Sequence, residues 1–215
     1  MKQATYPISL NLTGRRVLVA GAGRVATRKI ERLVEAGATL HVVAIEASAL
    51  VERLAEEGHL ALTLRAVNEE DARGAMLVLC ATDDGAANEL LANASRALGA
   101  LVSRVDAPEE SDFTVPALAR GESVEATVST RGAAPSASRR LAKELRAWVK
   151  HGPDRFAHEM AQARIALRGH PEAIERLRRL GNGALFEACA AADETRIQAL
   201  LSAALEGSDK AEVTS

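Results

Sequence analysis

Aromatic residues are scarce in this chain of 215 residues, at 2% of the total: three Phe, one Tyr and one Trp. A protein that binds single-stranded nucleic acid by stacking bases needs more aromatic faces than that. An excess of one charge is missing too. Lys and Arg number 27 against 29 Asp and Glu, a net charge of −2. Such a balance gives no global basic field to draw DNA, RNA or anionic lipid. No stretch approaches the ~18 apolar residues of a membrane span, and the N-terminus lacks the apolar core of a signal peptide. The expected compartment is the cytoplasm, with neither nucleic acid nor membrane as a partner. Cysteine is limited to Cys80, in an apolar run, and Cys189, in an Ala-rich segment. Both are expected to be buried thiols in a reducing compartment rather than a disulfide. The histidines, His41, His59, His151, His158 and His170, are scattered. With no His-x-x-x-His, His-Glu-x-x-His or Cys-x-x-Cys spacing, no metal site is expected.

Aliphatic side chains dominate what is present. Hydrophobic residues reach 47%, so a core of Val, Leu, Ile and Ala is available. Strand-like runs at 16–20, 40–44, 61–65, 76–81 and 101–105 alternate with helix-like segments at 24–35, 48–57 and 86–98, and with a short turn near 69–72. The first helix carries Val25, Ile30, Leu33 and Val34 at helical spacing, and Gly37 follows as a stop signal. Strand and helix in alternation predict an α/β fold, a Rossmann-type parallel sheet with helices on both faces. After Val105 the rhythm changes. A polar loop leads to a period-two strand at 123–129, then to a helix through Ser138–Lys150 with Pro135 in its first turn. Beyond Pro153 the β signal ends, and 154–167, 171–180 and 185–205 read as helices. The expected organisation is a nucleotide-binding domain at 1–112, a short β-containing segment at 113–150, a small helical domain at 151–206 and a frayed tail at 207–215.

The run Val17-Leu18-Val19-Ala20 stops at Gly21-Ala22-Gly23-Arg24-Val25-Ala26, a Gly-x-Gly-x-x-Ala turn between a strand and a helix. Gly21 permits the turn, Gly23 leaves room for a pyrophosphate, and Ala26 lets helix and strand pack closely. The backbone N–H groups at Arg24, Val25 and Ala26 would face the phosphates at the positive end of the helix dipole. About 20 residues on, an acid at the end of the second strand commonly binds ribose hydroxyls. Glu46 is the candidate, although it lies two residues past the strand as drawn, and a solvated loop acid is an equal reading. No Arg follows it at once, which favours NAD over NADP. Thr82 and Asp83 end the fourth strand and could touch a cofactor; Asp83 or Asp84 could instead cap the next helix. Asp106 ends the fifth strand, where a carboxylate would lie beside the reactive end of a bound dinucleotide and could move a proton. The competing reading is a turn-forming Asp before Ala-Pro. Arg120, Arg131, Arg139, Arg140, Lys143 and Arg146 form a local basic excess that suggests an anionic ligand or an exposed helix face.

Taken together, several segments resemble the dehydrogenase and ferrochelatase module of siroheme synthesis, the precorrin-2 dehydrogenase family. They are Tyr6-Pro7-Ile8, the stretch from Leu10 to Ala26 with Arg28 and Lys29, Glu35-Ala-Gly-Ala, Ala81-Thr-Asp-Asp with Asn88, Val105-Asp106, Asp112-Phe113 with Pro116, and Val128 to Pro135. The similarity covers roughly residues 6–150. It implies NAD-dependent oxidation of precorrin-2, a polycarboxylated reduced tetrapyrrole, to sirohydrochlorin. Asp106 matches the family's aspartate proposed as acid/base group, and Ser129 matches a serine region near its active site. The basic residues Arg120, Arg131 and Arg139 would suit the substrate carboxylates. The family is typically a homodimer, so 113–150 is the expected dimerisation segment.

The chain departs from the family pattern in three places. Asn-x-x-Asp-Asp becomes Ser103-Arg-Val-Asp-Ala, Cys-Asp-Phe becomes Ser111-Asp-Phe, and Arg131 stands where glycine is usual. Asp106 survives these changes. Some relatives also insert Fe²⁺ into the product, and the departures leave that activity open for this chain. The alternative is a non-catalytic module that binds NAD(H) and regulates a partner.

Overall fold

A computed structural model describes residues 5–206 of the chain; the expected tail at 207–215 lies outside the described residues. The chain divides into two compact units, with the boundary between Val115 and Pro116. The first contains β1 (Arg16–Ala22), α1 (Arg24–Glu35), β2 (Thr39–Ala47), α2 (Ala49–Glu56), β3 (Ala61–Leu64), β4 (Leu77–Cys80), α3 (Gly85–Ala97) and β5 (Leu101–Arg104). A 3-10 turn at Glu69–Ala72 precedes β4, and another at Pro108–Glu110 follows β5. Every strand pairing in the sheet is parallel, in the order β3-β2-β1-β4-β5. The expected Rossmann-type sheet is therefore present. The chain winds outward from β1 to β3 and then crosses back to the other side of β1. The reversal between β1 and β4 opens a crevice at the carboxyl ends of the strands.

Alternation along the strands explains why helices cover both faces. Val17 and Val19 of β1 and Leu79 of β4 are buried with Ala26 and Ile30 of α1 and Val51 of α2. Leu18, Ala20, Val78 and Cys80 face the other way and pack with Leu91 and Ala92 of α3. Each of the Val, Leu and Ile side chains contributes roughly 1.5–3 kcal/mol by leaving water. Phe113 packs against the first of these clusters.

In the second unit, β6 (Ala117–Arg120) and β7 (Glu125–Val128) form an antiparallel hairpin. Helix α4 (Pro135–Lys150) follows, with Pro135 in its first turn. The remaining helices are α5 (Pro153–Ala166), α6 (Ala173–Leu180), α7 (Ala184–Ala190) and α8 (Glu194–Glu206). They enclose Ala163, Leu180, Leu185, Ala188, Cys189 and Ile197. Two readings need correction here. The hairpin has a first strand, β6, that periodicity did not reveal. The single helix expected at 185–205 is two, because the chain turns at Ala192, where φ is +53°, and Asp193 Oδ1 accepts a hydrogen bond from Arg196 N (3.0 Å) to start α8. Among the described residues no helix is long and apolar enough to cross a membrane.

Candidate active site

The first unit gathers its candidate residues at the carboxyl edge of the sheet. At the end of β1, Gly21 has φ +98°, and a Cβ built there would lie 2.7 Å from the carbonyl carbon of Ala81. The turn thus presses onto the end of β4 at a distance only glycine allows. Gly23 has open space where a side chain would begin. It precedes α1, which has no side-chain cap and no acid in its first turn, so the N–H groups at the start of the helix lack intrahelical partners. Thr27 Oγ1 folds back onto the carbonyl oxygen of Gly23 (3.0 Å) and lies 3.0 Å from Ser48 Oγ, fixing that first turn against the start of α2. Ala26 is buried in the helix–sheet contact, whereas Arg24 and Val25 are exposed. An uncapped helix end, a glycine beside open space and a tight β1–β4 approach fit the diphosphate of a dinucleotide.

Glu46 requires a correction of the strand boundary. β2, expected over 40–44, runs to Ala47, which pairs with Ala22 of the phosphate turn across an irregularity in β1. Glu46 is therefore a strand residue, exposed, next to the partner of that turn.

Thr82 and Asp83 follow β4. The Thr82 hydroxyl lies 2.7 Å from Asn88 Oδ1, and Asn88 Nδ2 donates to the Thr82 carbonyl oxygen at 3.0 Å. Thr82 thereby ties the loop to the fully buried Asn88 of α3. Asp84 is the helix cap, its Oδ1 accepting from Ala86 N (2.9 Å) and Ala87 N (3.0 Å). Asp83 is exposed and does not serve that role.

Asp106, two residues beyond β5, sits above the start of α3. Its Oδ2 lies 3.5 Å from the position a Cβ would take on Gly85. Arg104 Nη2 donates to Asp106 Oδ2 at 2.7 Å, and Arg104 Nε approaches Oδ1 at 3.4 Å. The other arm of the guanidinium, Nη1, meets Glu110 Oε2 at 2.6 Å. The Arg104 side chain is 8% exposed and that of Asp106 31%. Hydrogen bonding from Arg104 holds the Asp106 carboxyl below the usual carboxylate range; burial opposes this, and a hydrogen bond from Asn88 adds to it. Cys80, paired with Arg104 across β4 and β5, is pushed up to about 12 by burial and is no nucleophile near neutral pH. At this edge the chain offers an anionic, partly exposed carboxylate that can accept a proton or face a developing cation.

Arg104, Asn88 and Glu110 were not singled out for a role in the sequence. Arg104 had a readable signal, since side chains two apart on an extended segment share a face. Asn88 entered only through the family resemblance, and its partner was not readable, because its place depends on how α3 lies on the sheet.

The remaining candidates belong to the second unit. Ser129 Oγ accepts a hydrogen bond from Arg131 N at 3.1 Å. Arg131 has φ +52°, the left-handed region that favours glycine, at the position where the family pattern has glycine. Arg120 pairs with Glu125 at 2.6 Å, directly across the hairpin. Ser129 adjoins Val128, whose partner is Ala117. Arg120 therefore lies at the opposite end of the hairpin, three residues or about 10 Å along the strand. Arg139 is exposed on α4. The structure groups Ser129 with Arg131 and leaves Arg120 apart.

Comparison with known proteins adds relatives to this geometry. The family model described as "Putative NAD(P)-binding" matches residues 8–117, a span that holds the β1–α1 turn and the Asp106 loop. The siroheme synthase of Methylococcus capsulatus is 37% identical over 150 residues, covering 70% of this chain and 31% of its own length. The siroheme synthase of Nitrosococcus oceani is 31% identical over 205 residues, 94% of this chain and 44% of its own. That of Gluconobacter oxydans is 33% identical over 215 residues, 95% and 45% respectively. The chain thus spans less than half the length of these curated relatives. Among solved structures, "SirC, precorrin-2 dehydrogenase" matches with a TM-score of 0.79 at 23% identity, covering 94% of this chain and 100% of that one, which shows a shared fold. The chain belongs to this NAD(P)-binding family, and its homologues include the siroheme synthases.

Proposed function

We propose that the chain is an NAD-dependent precorrin-2 dehydrogenase acting in the cytoplasm on the route to siroheme. The observation that carries the reading is the placement of an ionised, partly exposed Asp106 carboxylate at the same sheet edge as the uncapped Gly21–Ala26 turn. The siroheme synthase relatives and the shared fold with a precorrin-2 dehydrogenase support it. The N–H groups of Arg24, Val25 and Ala26 would hold the dinucleotide diphosphate, with Gly23 leaving the space clear. Glu46, beside the turn, would accept hydrogen bonds from the ribose hydroxyls and repel a 2′-phosphate, which favours NAD over NADP. Thr82 and Asp83 line the switch point where the cofactor would pass. Bound nicotinamide supplies a two-electron acceptor for a hydride.

Removing two hydrogens from precorrin-2 sends one as hydride to NAD⁺ and leaves one proton to be taken up. Asp106 accepts that proton and, being partly exposed, releases it to water. Its anionic form also stabilises the positive charge that grows on the macrocycle as the hydride leaves. Ser129 and Arg131, with Arg139 and Arg120, would meet the substrate carboxylates, Arg120 after exchanging Glu125 for the ligand.

The test is anaerobic turnover of precorrin-2 with NAD⁺, followed by sirohydrochlorin absorbance. Wild type is expected to turn over. Asp106→Ala is expected to lose about 10²–10³ in kcat while NAD⁺ affinity stays within about twofold. Tight NAD⁺ binding by wild type without turnover would select the regulatory module instead.

A further inference from the structure

We propose that Arg104 is a positioning residue for Asp106: its buried guanidinium holds the carboxylate in one orientation and in its anionic form. This rests on the dehydrogenase reading above. The arrangement is side-on, with Nη2 and Nε of one guanidinium directed at the two oxygens of one carboxylate, at 2.7 and 3.4 Å. Such a fork fixes the plane of the carboxylate as well as its place. The guanidinium is itself anchored. Its third nitrogen meets Glu110 at 2.6 Å, its backbone N–H donates to Ser111 Oγ at 2.9 Å, and its side chain is almost fully enclosed. Asn88 of α3 adds to the lowering of the Asp106 carboxyl and is itself held by Thr82.

The charged groups around this pair come from every neighbouring element. Arg104 on β5 faces Asp106, Glu110 on the 3-10 turn and Glu89 on α3, while Cys80 on β4 stays neutral. The guanidinium bonds two of these acids, with two nitrogens on Asp106 and one on Glu110. A carboxylate gripped this way is a weak base, so the grip serves its orientation and its anionic resting form rather than its basicity. As one C–H bond of the macrocycle gives hydride to NAD⁺, a second hydrogen leaves as H⁺ and is taken up by the Asp106 carboxylate. That proton then passes to water through the exposed side of Asp106.

The experiment compares the full chain with Arg104→Met and Arg104→Lys in two readouts. In kcat/KM against pH, the acid limb of R104M is expected about one pH unit above that of wild type. Its kcat should fall about tenfold or more, with KM for NAD⁺ within about twofold. R104K keeps the charge without the fork, and its limb should fall between the other two. Loss of packing alone would lower the rate without moving the limb. The second readout, the ¹³C carboxyl titration of Asp106 identified by its disappearance in Asp106→Asn, needs no substrate. Its midpoint is expected to rise by the same pH unit in R104M. An unmoved midpoint or limb in a folded R104M overturns the proposal. If R104M does not fold, R104K decides by the same two measures. A wild type that fails to oxidise precorrin-2 would sink the dehydrogenase reading while the titration still reports whether Arg104 governs Asp106.

Discussion

Two glycines two positions apart have opposite physical reasons for being glycine. Gly21 is constrained by protein, with φ +98° and the Ala81 carbonyl where a methyl group would go. Gly23 is in ordinary extended backbone, φ −72°, beside open space. Gly21→Ala should therefore cost at least about 1–3 kcal/mol of stability and shift β1 from β4. Gly23→Leu should leave Tm within a few degrees and abolish NAD⁺ binding. Thermal melts with and without NAD⁺ separate the two. A Gly23→Leu chain that still gains Tm from NAD⁺ would place the diphosphate elsewhere. At this scale the sequence was informative where spacing carries the geometry. The glycine turn and Asp106 were readable because each sits at a strand end. The pairing of Thr82 with Asn88 was not, because it joins a loop to a helix face whose rotation only packing decides.

Among the elements, the turn of the β6–β7 hairpin is gripped by one side chain of α5, while Arg146 of α4 donates to the Leu118 carbonyl of β6 at 3.1 Å. Asp154 accepts hydrogen bonds from the backbone N–H groups of Glu122 (2.8 Å), Ser123 (2.6 Å) and Val124 (2.9 Å). The bonds from Glu122 and then Ser123 hold its carboxyl below the usual range. A depressed carboxylate stabilises the fold above the unfolded value near pH ~3.9 and loses that contribution as pH falls through the folded value. Asp154→Ala should accordingly lower Tm at neutral pH, with the gap to wild type closing below about pH 4. A gap independent of pH would mean the carboxylate charge is idle. The same hairpin shows why β6 was missed. Ala117-Leu118-Ala119-Arg120 lacks β-branched residues and is only four residues long, so its strand state comes from pairing with β7 and packing on α4 rather than from propensity. The break between α7 and α8 was hidden because Ala192, not glycine, takes the left-handed turn. Asp193 before Glu194-Thr195-Arg196 was the one available cue.

Across the whole molecule, the alternation of apolar strands with amphipathic helices was sufficient to place five parallel strands, since only a doubly covered sheet buries such runs. The division at Val115 and Pro116 falls three residues past the boundary expected after residue 112, where the acidic loop at 106–112 ends the strand–helix rhythm. Each unit encloses one of the two cysteines. Cys80 lies in the sheet core and Cys189 among the C-terminal helices, and both are free and buried. The chain therefore carries one native clock hand per half. Under a thiol-trapping reagent with graded urea, each sulfur can be modified only when its own half opens. Peptide mapping should find Cys80 slowed by NAD⁺ and Cys189 unaffected by it, and equal slowing of both would show that the halves open as one.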